Sequence, residues 1–490
     1  MNAIEASVAC PADADCRLGQ SVDPETAGRP GLSGVLLLND GRDAFAARVL
    51  LADAAERTLD VQYYIWHDDL SGTLLLEAVR RAADRGVRVR LLLDDNNTFG
   101  LDGVLAALDS HPQIDVRLFN AFRGRRWRWL GFLTDFSRLN RRMHNKSFTA
   151  DERVTIVGGR NIGDEYFGAS RETLFIDLDV LAVGAVVADV ARDFGRYWNS
   201  ASAAPAAALL PPARDDALLA CAAHAADIGR RAEARAYIQA IRELPIVSDL
   251  LLRRLPYTWA SARMISDDPA KGLAHEKQRD LVLNRLREVL GTLQHELYLI
   301  SPYFVPAKRG TDFFAQHARA GLRVMILTNS LEATDVVAVH AGYLKRRKAL
   351  LRAGVRLFEL RRTTPQRKRL LRMRGSSGIG SSGSSLHSKT FSIDRARLFV
   401  GSFNFDQRSA RLNTEMGLII ESPELAAASA DAFDAQVPES AFEVRLQNGR
   451  LQWIERNEGT EVIHDTEPGT TRWQRIVVRI LSWLPIDWML

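Results

Sequence analysis

The chain is 490 residues long, 46% hydrophobic and 26% charged, which supplies apolar side chains for a folded core and excludes a disordered polyelectrolyte. Its 65 basic and 60 acidic residues leave a net charge of only +5, so the molecule as a whole is not a polyanion sponge. No apolar run reaches the roughly 18 residues that span a bilayer, and three cysteines (Cys10, Cys16, Cys221) point to reduced thiols in a cytosol-facing protein rather than a disulfide scaffold.

The start, MNAIEASVACPADADCRL, lacks the basic residues and apolar stretch of a signal peptide, so secretion is not expected. From Leu59, LDVQYYIWHDDLSGTLLLEAVRRAADRGVRVRLLLDDNNT reads as strand, helix, strand. Its first stretch alternates, its middle carries apolar residues three and four apart, and Gly86 stops the helix before VRVRLLL. A third strand, VRLFN, follows at Val116. KSFTADERVTIVGG then reads as a hairpin, before another strand and a helix over 183–198. SAAPAAALLPPARDD, from Ser202, reads as a linker, with an Ala-rich helical stretch running to about Leu244. The same succession returns about 240 residues downstream. ELYLISPYFVPAKRGTDFFAQHARAGLRVMILTNS, from Glu296, puts Gly321 in the place of Gly86; VRLFEL follows at Val355, then KTFSIDRARLFVGS and a helix over 423–435. Residues 375–385, Gly or Ser at all but one position, read as a flexible loop directly before that second hairpin.

The expected organisation is an extension of unassigned fold over 1–41, a first half over 42–200, a linker with helices over 201–244, a second half over 245–440 and a C-terminal extension over 441–490. Alternating strands and helices predict an α/β fold used twice, each half a mostly parallel or mixed sheet covered by helices.

One template occurs in both hairpins: His144-x-Lys146-x4-Asp151 and His387-x-Lys389-x4-Asp394. In each, a glycine (Gly158, Gly401) falls 14 residues after the histidine and an asparagine (Asn161, Asn404) 17 after it. With ten His and only eight Lys, chance placement gives HxK about 0.2 times, so two copies in register are not accidental. A lone HxK would read as an ordinary surface or core histidine; the repeat overturns that reading. On a strand, His and Lys at i and i+2 share a face, and two such strands related by pseudo-symmetry would surround one pocket with two His and two Lys. Two ammonium groups and two Asn amides suit the non-bridging oxygens of a phosphate, where charge develops in the transition state. One imidazole can attack phosphorus while the other protonates the leaving oxygen and then activates the acceptor. That scheme needs no metal, and no HxxxH, HExxH or CxxC cluster occurs, so neither metal nor cofactor is expected.

HxKx4D followed by G-[GS]-x-N, twice, resembles the phospholipase D superfamily. RLNRRMHNKSFTADERVTIVGGRNIGDEYFG, LDVQYYIWHDD, RVRLLLDDNNT, ILTNS, VVAVHAGY, LHSKTFSID, GSFNFDQRS and LNTEMG are similar to its bacterial cardiolipin synthases, of the class C type without N-terminal membrane spans. The resemblance runs from about residue 42 to the C-terminus. It implies two fused halves with one active site at their interface, a phosphohistidine intermediate, and phosphatidyl transfer that makes cardiolipin. By the same resemblance His144 would be the nucleophile and His387 the general acid/base, an order that pseudo-symmetry could reverse. Lys146, Lys389, Asn161 and Asn404 would bind the phosphoryl group; Asp151 and Asp394 belong to the signature and would support it. An acidic residue is expected to orient each imidazole. Glu415 fits that role in the second half, and either Asp177 or Asp179 in the first. Gly159 stands where the second copy has Ser402, so a hydroxyl contact to phosphate is expected on one side only.

The lipid substrates implied are phosphatidylglycerol and a second phospholipid, phosphatidylethanolamine or phosphatidylglycerol again. TRWQRIVVRILSWLPIDWML, at the C-terminus, places Trp473, Val477, Ile480 and Leu484 on one helical face and Arg472, Arg475, Arg479 and Ser482 opposite. Pro485 ends the helix, and Trp483 and Trp488 suit a headgroup layer. The pattern reads as an interfacial amphipathic helix, against a terminal helix docked on the protein's own core. Basic blocks at 123–142 (seven Arg, one Asp) and 361–374 (seven basic residues, no acid) read as further attraction to anionic lipid, against a merely solvated face. Peripheral attachment to the cytoplasmic face of a bacterial inner membrane is the expected location. A water-accepting phosphodiesterase of the same fold, acting on phospholipid or less plausibly on nucleic acid, is the alternative; a non-catalytic membrane-binding protein is disfavoured by two intact motifs. No protein partner is indicated.

Overall fold

The computed structural model describes residues 16–484, except 123, 126, 127, 129, 130, 132, 134, 171, 172, 247, 248, 250–253, 275–280, 363–382 and 458. The first 15 residues with Cys10, most of the 375–385 Gly/Ser stretch, most of the second basic block, Pro485 and Trp488 lie outside the described residues. The chain forms two compact units, each discontinuous in sequence. The first takes residues to 169, then 179–278 and 413–418; the second takes 170–178, 279–412 and 419 onward.

In the first unit Thr58–Tyr63, Arg88–Asp94 and Ile114–Phe119 are parallel neighbours. Parallel pairing requires a crossover, and the helix Leu70–Asp84 supplies it. Asp69 caps its start by accepting from the Gly72 amide at 2.9 Å, and Gly86, at φ 94°, reverses the chain after its end in a region that favours glycine. Its apolar face (Leu75, Leu76, Val79, Ala82) is buried. Ser147–Ala150 runs antiparallel beside Thr58–Tyr63 and turns into Val154–Gly158, which pairs with Asp179–Gly184. Ser33–Leu38 then joins Asp179–Gly184, and Thr258–Ser266 follows it. Residues 33–38, too short a run to be assigned a fold from pattern alone, are thus inside the sheet, with Val35 and Leu38 buried.

The second unit repeats the plan. Glu296–Ile300, Arg323–Asn329 and Arg356–Leu360 are parallel, with the helix Ala307–Arg319 as crossover and Gly321, at φ 93°, behind it. Thr390–Ile393 runs antiparallel to Glu296–Ile300 and turns into Arg397–Gly401. The other edge continues through Ala441–Gln447, Arg450–Asn457 and Thr460–His464, all antiparallel. The sheets are therefore mixed, parallel over three strands and antiparallel where the motifs lie.

At the chain's end the helix Arg472–Trp483 starts with a capping box between Thr471 and Gln474. Val478 and Leu481 pack against Leu331, Ala341 and Leu344, on and beside the helix Val337–Arg352. Glu467, just before it, meets buried His340 Nε2 at 3.2 Å and accepts from buried Arg347 at 2.9 Å, and these contacts hold its carboxyl down at about 2 despite burial. Among the described residues no helix is long and apolar enough to cross a membrane.

Candidate active site

Both HxK pairs sit in the extended lead-in to a hairpin rather than on the hairpin strand, which begins at Ser147 in one copy and Thr390 in the other. The reason is their backbone partners. The His144 amide donates to the Thr414 carbonyl at 2.9 Å, and the His387 amide donates to the Ile176 carbonyl at 2.9 Å. The short strand Gly383–Leu386 pairs in parallel with Thr173–Ile176. Each histidine is thus laid against a segment from far along the chain.

Those segments carry the carboxylates. Glu415 Oε2 lies 2.9 Å from His144 Nδ1, and Asp177 Oδ2 lies 2.5 Å from His387 Nδ1. A carboxylate only accepts, so each Nδ1 carries a proton and each Nε2 is left for the reaction. The pairing is the reverse of the sequence expectation: Glu415 serves the histidine of the first motif and Asp177 that of the second. Asp179, the other candidate, is spent elsewhere, in a buried ion pair with Arg48 at 2.8 Å and on the Arg160 amide. Both histidines are nearly buried, with Tyr64 edge-on to His144 at 5.0 Å between centroids and Phe175 tilted against His387 at 5.2 Å. An apolar wall beside each ring limits water at the reacting nitrogen.

Glu415 is itself held. Its amide donates to Asp267 Oδ2 at 2.9 Å, its carbonyl accepts from the Asp267 amide at 2.9 Å, and Lys271 neutralises Asp267 at 2.8 Å with both side chains buried. Thr414 beside it bonds the Asn145 carboxamide oxygen at 2.7 Å through its hydroxyl. Lys146 and Lys389 are buried and each donates through Nζ to the carbonyl of the histidine two residues earlier; the Lys389 ammonium also lies 3.1 Å from His387 Nδ1.

The two signature aspartates are matched to the atom. Asp151 accepts from the amides of Arg57 at 2.8 Å, Thr58 at 3.0 Å and Glu56 at 3.0 Å. Asp394 accepts from those of His295 at 2.7 Å, Glu296 at 3.0 Å and Gln294 at 3.0 Å. Each begins a two-residue turn whose central positions have positive φ (51° and 52° for Asp151 and Glu152; 52° and 49° for Asp394 and Arg395). That is the turn whose twist suits a hairpin, and aspartate tolerates it. They brace the hairpin against the first parallel strand. Asp151→Ala should therefore lower unfolding free energy by about 2–4 kcal/mol, with Asp151→Asn intermediate, by urea denaturation.

The asparagines differ. Asn161 accepts from the Ile65 amide at 3.2 Å and donates to the Tyr166 hydroxyl at 3.0 Å, so its carboxamide ties two loops together. The Asn404 carboxamide oxygen is buried with no hydrogen-bond partner among the described residues, and Ser402 is fully buried. His67, Asp69 and Glu165 lie close enough to share a cation, but Asp69 is a helix cap and His67 pairs with Glu165 at 3.1 Å.

Sequence reasoning missed one pair of residues. Asp94 and Asn329 end equivalent strands, and each bonds the residue just before a motif histidine: Asp94 Oδ2 accepts from the Met143 amide at 2.8 Å, and Asn329 Oδ1 accepts from the Leu386 amide at 2.9 Å. Burial pushes the Asp94 carboxyl up to about 6 while Arg142, at 3.2 Å, pulls the other way. The signal was their common place in RLLLDDNNT and MILTNS. Among the described residues of the first basic block, four arginines have acidic partners. Arg125 pairs with Asp95 and Asp102, Arg128 lies 3.5 Å from Asp102, Arg138 lies 2.6 Å from Asp135, and Arg142 pairs with Asp94.

Comparison with known proteins converges on one family. The model described as "Cardiolipin synthase, PLD-like domain" matches residues 50–198 and again 286–437. The chain is 50% identical over 479 residues to cardiolipin synthase C of Escherichia coli, covering 97% of this chain and all of that one. It is 31% identical to an uncharacterised Helicobacter pylori protein, over 93% of this chain and 89% of that one. Among solved structures, phosphatidylserine synthase of Haemophilus influenzae shares the fold, with a TM-score of 0.58 at 14% identity, covering 93% of this chain and 95% of that one.

Proposed function

Because the chain belongs to the cardiolipin synthase family of phospholipase D-like proteins, we propose that it transfers a phosphatidyl group from phosphatidylglycerol to a second phospholipid, phosphatidylethanolamine or phosphatidylglycerol, making cardiolipin. The observation that carries this reading is the pair of histidines, each with Nδ1 on a buried carboxylate and Nε2 left as a base or nucleophile. His144 Nε2 attacks phosphorus and forms a phosphohistidine as the P–O bond to the leaving alcohol breaks. His387, entering as the imidazolium that Asp177 stabilises, gives that alcohol its Nε2 proton, then takes the proton of the incoming hydroxyl as it attacks phosphorus and frees His144. Lys146 and Lys389 offset the oxyanion charge, with Asn404, Ser402 and Asn161 completing the phosphate contacts. No metal or other cofactor has a part in this scheme.

Incubation with labelled phosphatidylglycerol, with and without phosphatidylethanolamine, tests it. Cardiolipin with released ethanolamine or glycerol supports transfer; phosphatidic acid alone makes the protein a hydrolase.

The substrate reading calls for a membrane surface, and the helix Arg472–Trp483 suits one. Val478 and Leu481 face the protein, whereas Trp473 (72% exposed), Ile476, Val477, Ile480, Trp483 (77%) and Leu484 remain open to solvent. At 100° per residue those six fill one arc, with Arg472 and Arg479 along its edge. The helix docks by one face and leaves another that suits anionic lipid, which supports reading the protein as peripheral on a bacterial inner membrane; the cytoplasmic face is the side this reading expects. Combined Trp473→Ser, Ile480→Ser and Trp483→Ser should weaken partition onto phosphatidylglycerol vesicles by about 10–100-fold in a sedimentation assay, without altering the unfolding midpoint. Unchanged sedimentation would remove the helix from the interface.

A further inference from the structure

The geometry points to Asp94 and Asn329 as equivalent positioning residues, each fixing the backbone immediately before a reacting histidine. The two sit at the last position of corresponding strands, Arg88–Asp94 and Arg323–Asn329. Both are buried, and both accept from the amide one residue before the histidine, Met143 in one unit and Leu386 in the other. Asn329 also returns a bond, from Nδ2 to the Leu386 carbonyl at 3.0 Å. Asp94 cannot donate; it accepts a second amide, Asn96, at 3.0 Å and faces Arg142.

A backbone amide so held fixes where the next Cα stands, and with it the distance from the ring's Nδ1 to its carboxylate. Each imidazole is thus gripped twice: through the ring by Glu415 or Asp177, and through the preceding peptide by Asp94 or Asn329. The chemistry of the two clamps differs in a way that sets the direction of tolerance. At the Met143 clamp the side chain only accepts, and a carboxamide oxygen can take the Met143 amide, although its Nδ2 then faces the Asn96 amide and buried Arg142, which the second carboxylate oxygen now serves. At the Leu386 clamp a donor is used too, and a carboxylate there would face the Leu386 carbonyl with no proton to give.

The inference rests on the histidine chemistry proposed above, so it is tested with one readout that needs turnover and one that does not. In steady-state assays on phosphatidylglycerol vesicles, Asp94→Ala, Asn329→Ala and Asn329→Asp should lower kcat about 10–100-fold with KM within about threefold, while folded Asp94→Asn keeps kcat within about threefold of the parent but unfolds at lower denaturant, as Arg142 loses its counter-ion. In the substrate-free protein with 15N-labelled histidine, the ring signals of His144 in Asp94→Ala and of His387 in Asn329→Asp should lose the carboxylate-bonded Nδ1–H of the parent. Asp94→Asn should keep it. Parental kcat and ring signals in folded Asn329→Asp, or an Asp94→Asn loss as deep as that of Asp94→Ala, would overturn the assignment. An inert parent would count against the proposed activity alone, since the ring signals still decide the clamp. If Asp94→Ala does not fold, Asp94→Asn and Asn329→Asp decide the matter between them.

Discussion

His144→Ala and His387→Ala are each expected to lower phosphatidyl transfer by at least about 10⁴-fold, equivalent to roughly 5 kcal/mol or more of transition-state stabilisation. Alanine at the nucleophile removes the atom that bonds phosphorus, and alanine at the acid/base leaves an alkoxide to depart unprotonated. The double variant should be scarcely worse than either single one, because the two rings serve one reaction and their losses do not add. The two singles should differ in one respect. With the acid/base gone, a substrate whose leaving group needs no proton should still load the nucleophile, and the acid-labile phosphohistidine should persist and be detected by mass spectrometry of protein quenched and kept at alkaline pH. Loading that survives His144→Ala and vanishes in His387→Ala would reverse the assigned order. Substantial cardiolipin from either alanine variant would reject the two-histidine scheme.

The second large effect falls on the carboxylates. Glu415→Gln and Asp177→Asn should each reduce kcat by about 10³–10⁴-fold with little change in fold stability. A carboxamide can donate to Nδ1, which at His144 puts the proton on the attacking Nε2, and at His387 a neutral partner no longer stabilises the imidazolium that acts as the acid. The variants retain side-chain volume, so lost packing cannot explain the fall. Because Glu415 bonds His144, Glu415→Gln should behave as a lesion of the first motif although it lies beyond the second in sequence. It should add little to His144→Ala. Asp179→Asn should instead destabilise the first unit by leaving buried Arg48 without its counter-ion, by about 3–5 kcal/mol in denaturant unfolding.

Much of the site was legible from spacing. The duplicated His, Lys, Asp, Gly and Asn positions are a local signal, and strand–helix–strand periodicity located both parallel cores, down to the two glycines that stop the crossover helices. Local signals failed at three kinds of place. The HxK pairs looked like strand residues, but they hydrogen-bond to Thr414 and Ile176, and only that contact sets their conformation. The arginines of 123–142 looked cationic, and several are neutralised by Asp94, Asp95 and Asp102, whose nearness is not visible in a count of charges. Strand Ser33–Leu38 gave too short a run to stand out.

What the sequence by itself determined is the inventory: a duplicated α/β unit, two histidines with their lysines, a supporting aspartate after each, and an amphipathic end. Residue type and periodicity are properties of neighbours along the chain, and they survive without coordinates. Which carboxylate meets which imidazole was decided only by the tertiary structure, since the partners are 271 and 210 residues apart. So was the use of Asp151 and Asp394 as backbone braces and the choice of which face of the last helix stays open. Those outcomes depend on where distant segments of the chain are laid side by side, and burial then makes each pairing obligatory, because an unpaired carboxylate or amide inside the protein is far more expensive than one in water.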